Sequence, residues 1–145
     1  MSALFVMRVI PVLMNAKRYG SGREGDMPHE RRMFGDSGEA LALAYFELRG
    51  YRIVERNWLC RLGEIDLILE RRSELHFVEV KTRRSLTYGY PEESITGKKL
   101  RHLARTIEVY LSRHAHIPDR VHVHALAITI IPGQPPEYYL IENIL

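Results

Sequence analysis

Residues 63–83 read Gly-Glu-Ile-Asp-Leu-Ile-Leu-Glu-Arg-Arg-Ser-Glu-Leu-His-Phe-Val-Glu-Val-Lys-Thr-Arg. Two apolar, partly β-branched runs, 64–70 and 75–82, flank the polar link Arg71–Glu74, which has hairpin length. A third run of this kind, Tyr51–Trp58, precedes them across the turn Arg61-Leu62-Gly63. Three strands joined by such short links form an antiparallel meander.

Working outward, each side of the meander predicts a helix. Ser37 is expected to cap the first, whose stripe Leu41, Ala44, Tyr45 and Leu48 follows i, i+3, i+4, i+7 spacing, with Gly50 as its left-handed C-terminal cap. Thr96 is expected to cap the second, over 97–114, with the stripe Leu100, Leu103, Ala104, Ile107 and Leu111. After Pro118 come a long buried strand, Val121–Ile131, and a short one, Tyr138–Ile141. The order α-β-β-β-α-β-β includes a strand, a crossover helix and a strand, which implies one parallel pair. The fold class is α/β, a mixed sheet flanked by helices.

A chain of 145 residues has room for one domain of common size. Its 46% apolar and 27% charged residues exclude a disordered or fibrous chain. No run reaches the roughly 18 apolar residues that suggest a membrane span. Residues 3–14 are apolar but broken by Arg8 and Pro11, so they do not read as a secretory signal. Residues 15–34 read as a flexible linker, and residues 1–33 as a flexible or mis-annotated extension. Met27 or Met33 would then be the natural start. One cysteine, Cys60, excludes an internal disulfide and a multi-cysteine zinc site, so a reducing cytoplasm is the expected compartment.

The chemistry is expected where charge interrupts apolar strands. Glu79 and Lys81 share a strand face with Phe77, while Val78 and Val80 share the other. Asp66 interrupts the preceding strand between Ile65 and Leu67. Whether Asp66 joins Glu79 depends on a register that spacing leaves open. If it does, two carboxylates meet, and a hard divalent cation relieves their repulsion. Mg²⁺ is the expected ion, with Mn²⁺ as the alternative, and the Val80 carbonyl as a further ligand. Lys81 would orient the attacking water or neutralise charge on a phosphorane. Glu39, at the start of the first helix, and Glu64 are further candidates. Glu-x-Lys on a strand is, by itself, most often a solvated face.

Residues 71–113 hold ten Lys or Arg against five acids. Arg83 and Arg84 leave the third strand, and Lys98, Lys99, Arg101 and Arg105 line one helix face, as phosphate contacts of a nucleic acid would. Tyr88 and Tyr90 lie between the two groups, placed for loop packing or for stacking on a base. His114, His116, His122 and His124 crowd another stretch, but only Asp119 is at hand to complete a metal site. Solvated strand-end histidines are the simpler expectation there.

Gly35-x-x-Gly38-Glu39-x-x-Ala42, Gly63-Glu64-Ile65-Asp66-Leu67-Ile68 and Phe77-Val78-Glu79-Val80-Lys81-Thr82-Arg83 together resemble the YraN family of bacterial predicted endonucleases. The segment Tyr88-Gly89-Tyr90-Pro91-x-Glu93-Ser94-Ile95, Lys98 and the ending Ile141-Glu142-Asn143 are similar as well. The resemblance covers about residue 34 to the end, so 34–145 is expected to form one domain. It implies the restriction-endonuclease-like superfamily, which also holds archaeal Holliday-junction resolvases. By that resemblance Asp66, Glu79 and Lys81 are the catalytic set, Glu39 is the helix carboxylate, and a homodimer acting on DNA is plausible. One position departs: the family usually has Arg-Phe-Asp-Val where this chain has Arg120-Val121-His122-Val123. If that acid serves the site, the exchange weakens it. The expected function is a Mg²⁺-dependent nuclease cleaving DNA, including branched or flapped DNA. The alternatives are a non-catalytic nucleic-acid-binding module and a subunit whose basic face meets an acidic protein.

Overall fold

The computed structural model describes residues 28–84, 95–115 and 118–145, with side chains from Ser37 onward. The expectations for residues 1–27, for Tyr88 and Tyr90, and for His116 lie outside these residues. The elements are α1 (Pro28–Glu47), β1 (Arg52–Cys60), β2 (Gly63–Arg71), β3 (Glu74–Arg83), α2 (Gly97–Ser112), β4 (Val121–Thr129) and β5 (Glu137–Ile141).

The five strands lie in the order β1-β2-β3-β4-β5. All neighbours are antiparallel except β3 and β4, which run parallel, with Phe77 beside Val123 and Glu79 beside Ala125. This is the mixed sheet expected from the element order. Two boundaries differ from expectation. α1 begins at Pro28, so Ser37 is an interior residue and the boundary expected after residue 33 falls inside a helix. Proline suits a first helical position because it has no N–H to leave unpaired there. β4 ends at Thr129, two residues early, because the chain must turn before Pro132.

Each helix covers one face of the sheet. Ala42, Tyr45 and Phe46 of α1 pack on Leu67, Leu69, Val78, Leu126 and Ile128. Ile107 and Tyr110 of α2 pack on Ile65, Ile68, Phe77 and Val123. Strand alternation explains the division at β3, where Phe77 faces α2 and Val78 faces α1. Both are essentially fully buried, and burying side chains of this size contributes about 1.5–3 kcal/mol each.

α1 approaches β3 through Gly38, which is buried against Thr82. A Cβ on Gly38 would lie 1.9 Å from the Thr82 hydroxyl oxygen. The absence of a side chain therefore sets how closely the helix lies on the sheet.

At α2 the Thr96 hydroxyl accepts a hydrogen bond from the Lys99 amide at 3.3 Å, confirming the expected cap. Thr96→Ala removes that acceptor and is expected to lower stability by about 1 kcal/mol, read from urea unfolding midpoints. An unchanged midpoint would mean that the first turn of α2 is held by packing alone.

Candidate functional site

Alternation in β2 breaks at Asp66. Ile65 packs with the α2 cluster and Leu67, two residues on, with the α1 cluster. In a regular strand these two would share a face. Across the β1–β2 ladder, Arg56 pairs with Leu67 and Trp58 with Ile65, so Asn57 stands opposite Asp66. Asn57 has φ +51°, a left-handed conformation that Asn tolerates better than most residues. Both strands change face at this one level.

On the other side of β2, the ladder to β3 runs from Arg71 with Glu74 to Leu67 with Val78. Beyond this last pair, the Val80 amide donates to Asp66 Oδ2 at 2.7 Å. The carboxylate of Asp66 is thus held in the gap where β2 and β3 part. This answers the open question of register: Asp66 and Glu79 meet.

The electrostatics follow from burial. The Asp66 carboxyl is pushed up to about 7, first by burial and then by repulsion from Glu79, while the Val80 N–H opposes the shift and Glu64 and Glu39 add to it. The Glu79 carboxyl is also raised by burial and by Glu64, with Lys99 and then Lys81 pulling it down. Four acids therefore repel one another around Asp66. Glu39 comes from α1, and its Oε2 accepts from Asn57 Nδ2 at 3.0 Å. The Gly38–Thr82 contact beside it sets the height of Glu39 above the sheet.

A cavity of about 290 Å³ opens beside this cluster, between the first half of α2 and the strands. Glu64, Glu79, Lys81, Lys98, Lys99 and His102 supply its charged and polar walls. Of the expected phosphate contacts, Lys98 and Lys99 line the cavity, whereas Arg101 and Arg105 are exposed on α2 outside its lining. Arg83 is half-buried at the end of β3 and Arg84 is exposed just beyond it. Two participants were not singled out from the sequence. His102 was discoverable, since it lies four residues after Lys98 and three after Lys99, on the same helical face. Asn57 gave only a weak signal, a polar residue within an apolar and aromatic strand.

The histidines depart from the expectation of solvated strand ends. His124 is buried, and its pKa falls to about 4, chiefly through burial and then through His76. His122 stacks on His76 of β3, with ring centroids 4.6 Å apart. In the β3–β4 register His122 pairs with His76 and Ala125 with Glu79, so His122 lies about 10 Å along the sheet from the acidic cluster. The departure at His122 therefore leaves the Asp66–Glu79 site untouched. His114 belongs to neither group; it stacks on Tyr110 and its Nδ1 lies 2.7 Å from the Tyr110 carbonyl oxygen.

A mixed five-stranded sheet between two helices, with acids and lysines where two central strands part, defines a restriction-endonuclease-like domain. The chain belongs to the uncharacterised protein family UPF0102, the YraN family, whose model matches residues 38–128. It is 37% identical to a UPF0102 protein of Geobacter sulfurreducens over 119 residues, which are 82% of this chain and 93% of that protein. It is 39% identical to one of Dehalococcoides mccartyi over 124 residues, covering 82% and 98% of the two chains. A UPF0102 protein of Caldicellulosiruptor saccharolyticus is 48% identical over 83 residues, 57% of this chain and 70% of its own. Among the described residues, no helix is long and apolar enough to cross a membrane.

Proposed function

We propose that the chain is a metal-dependent nuclease that hydrolyses DNA phosphodiester bonds, with branched or flapped DNA among its substrates. The observation that carries this reading is the burial of Asp66 beside Glu79 at the parting of β2 and β3, with Lys81 and Lys99 facing Glu79. Buried carboxylates that repel one another call for a cation. Their oxygen donors suit a hard ion, Mg²⁺ or Mn²⁺, which takes one or two carboxylates and completes its shell with water and phosphate oxygens. Bound there, such an ion polarises the phosphate and makes a bound water more acidic.

The remaining work falls to the chain's own residues. Asp66 and Glu79 hold the ion, and the Val80 amide fixes the Asp66 carboxylate. The carbonyl of a strand residue points to the same side as its N–H, so that of Val80 is directed into the same gap as a further oxygen donor. Lys81, on the face of Glu79, orients the attacking water or stabilises charge developing on phosphate oxygens. Lys99 balances Glu79 from α2, and Glu39, held by Asn57, assists from α1. Lys98, Arg101, Arg105, Arg83 and Arg84 take phosphates along the duplex, which fixes position without reading sequence.

The test incubates the full chain with labelled single-stranded, duplex, flap and four-way-junction DNA, with Mg²⁺, Mn²⁺ or EDTA. Metal-dependent cutting is expected, lowered at least about 100-fold in both Asp66→Ala and Glu79→Ala. Cutting retained in either variant would sink the assignment. Salt-dependent binding without cutting on every substrate would replace it with a non-catalytic nucleic-acid-binding role.

A further inference from the structure

The opposite end of β3 and β4 carries a second cluster, unrelated to the acidic site. Parallel pairing sets His76 beside His122, and alternation puts Glu74 and His124 on the same face. One ligand atom each from Glu74, His76 and His122 lies within 4.8 Å of the other two. These are a carboxylate and two imidazoles, a donor set suited to Zn²⁺ and its neighbours.

Two features mark where a cation would bind: a pair of acceptors that needs one between them, and a buried ring nitrogen left open beside it. His122 Nδ1 lies 3.1 Å from Asn143 Oδ1. A carbonyl oxygen only accepts, so Nδ1 carries the hydrogen and a neutral His122 turns a lone pair on Nε2 outward. That Nε2 lies 2.9 Å from Glu74 Oε2, itself an acceptor. Two acceptors at this separation attract only with a cation between them, either a proton or a metal ion. The second feature is His76. Its residue is 6% exposed, and its Nε2 is the one buried side-chain polar atom among the described residues without a hydrogen-bond partner of normal geometry, the Arg71 backbone carbonyl lying close enough only to favour the protonated ring.

We propose that Glu74, His76 and His122 form a binding site for a divalent transition-metal ion of the Zn²⁺ class. The ion takes the place between His122 Nε2 and Glu74, and His76 supplies the third donor through its unpartnered nitrogen. Asn143 orients His122 from behind, the usual arrangement of a metal-bound histidine. Three protein donors leave a fourth position, and a cavity of about 200 Å³ lined also by Tyr51 and Arg71 adjoins the site.

Loading has a cost that bounds the affinity. The Asn143 amide donates to His124 Nδ1 at 3.2 Å, so the hydrogen of His124 sits on Nε2, facing His76 Nδ1 at 2.9 Å. Neutral His76 then carries its own hydrogen on Nε2. Metal binding moves that hydrogen to Nδ1 and that of His124 to its Nδ1, which gives up the Asn143 contact. The two histidines stay neutral and keep both hydrogens. The donors must also adjust to the separations of about 3.4 Å set by metal–ligand bonds near 2.1 Å, with His122 Nε2 and Glu74 moving apart from 2.9 Å to admit the ion and His76 fitting to both. The site is therefore weaker than a preorganised zinc centre, and low-micromolar affinity is expected.

The test titrates the metal-free full chain with Co²⁺, read by visible absorption, and then with Zn²⁺ in competition. One equivalent of Co²⁺ with the intense band of a four-coordinate ion is expected. His122→Asn and Glu74→Gln should each weaken binding at least about tenfold. His122→Cys, which restores a ligand, should recover one-equivalent Zn²⁺ binding and so separates ligand loss from misfolding. Glu108→Gln, on the exposed face of α2, should bind as the wild type does. Absence of the intense band, wild-type affinity in His122→Asn and Glu74→Gln, failure of His122→Cys to recover binding, or loss of the band in Glu108→Gln would each overturn the proposal. None of these readouts depends on nuclease activity.

Discussion

At pH 8 in EDTA, Asp66→Asn is expected to melt above the wild type. The carboxyl of Asp66 is held near 7 in the folded protein, against 3.8 as its ordinary value. A raised folded pKa means that the folded state binds the extra proton between these values. Stability is then fully present below about 3.8 and is lost as pH rises through about 7. The difference is about three pH units at roughly 1.4 kcal/mol each, a ceiling of about 4 kcal/mol at pH 8. Asparagine cannot ionise, and its carbonyl still accepts from the Val80 amide. The variant should therefore gain up to about 10 °C in melting temperature at pH 8 and less than half of that at pH 5, where only the unfolded carboxyl is ionised, and the gain should vanish below about pH 3.8.

The same experiment with Mg²⁺ or Mn²⁺ added should reverse the ranking. A ligand that binds only the folded state stabilises it in proportion to the logarithm of its concentration. The wild type should respond and Asp66→Asn should not. A variant no more stable than the wild type at pH 8 in EDTA would mean that the acids around Asp66 do not strain the fold. A buried carboxylate that weakens the empty protein is a cost tolerated for function, and it is the physical signature expected of a site built around a cation.

Gly38→Ala is expected to act in the opposite direction, and against helix propensity. In an exposed helix the change would add about 1 kcal/mol of stability. Here the new methyl would lie 1.9 Å from the Thr82 hydroxyl and 2.9 Å from Thr82 Cβ and Cγ2. Rotating Thr82 moves the hydroxyl but leaves Cβ in place, so α1 itself must lift from β3. Overpacking of this kind costs about 1–3 kcal/mol or more, and a net loss of roughly 2 kcal/mol, about 6 °C, is expected by calorimetry. Gly38→Ala/Thr82→Ala should recover only part of this, because the Cβ of residue 82 remains. Lifting α1 also carries Glu39 away from Asn57, so any metal-dependent activity should fall with stability. Wild-type stability in Gly38→Ala would show that α1 and β3 are not in close contact.

Much of the domain is local and therefore legible along the chain. The apolar, partly β-branched runs 64–70 and 75–82, the i, i+3, i+4 stripe of α2 and the Thr96 cap are properties of neighbouring residues. So is the sharing of one face by Glu79 and Lys81, because successive side chains on a strand point to opposite faces. The start of α1 was less legible, since the polar, glycine-bearing stretch before Ser37 carries no apolar period, yet the helix begins at Pro28.

What only the tertiary structure decided depends on which strands meet and in what register. Alternation read along β2 would set Ile65 and Leu67 on one face, but they pack with different helices, because the change of face at Asp66 and Asn57 belongs to the strand pair. The meeting of Asp66 with Val80, the facing of Glu79 by Lys99, and the grasp of Glu39 by Asn57 all join residues from separate elements. The histidine cluster shows the difference most plainly. His122 and His124 stand together in the sequence with no nearby carboxylate except Asp119, whereas Glu74 and His76 reach them only because β3 and β4 pair in parallel. Side-chain periodicity is set by the backbone of one segment, but strand pairing is a contact between segments far apart in the chain, and no local pattern encodes its register.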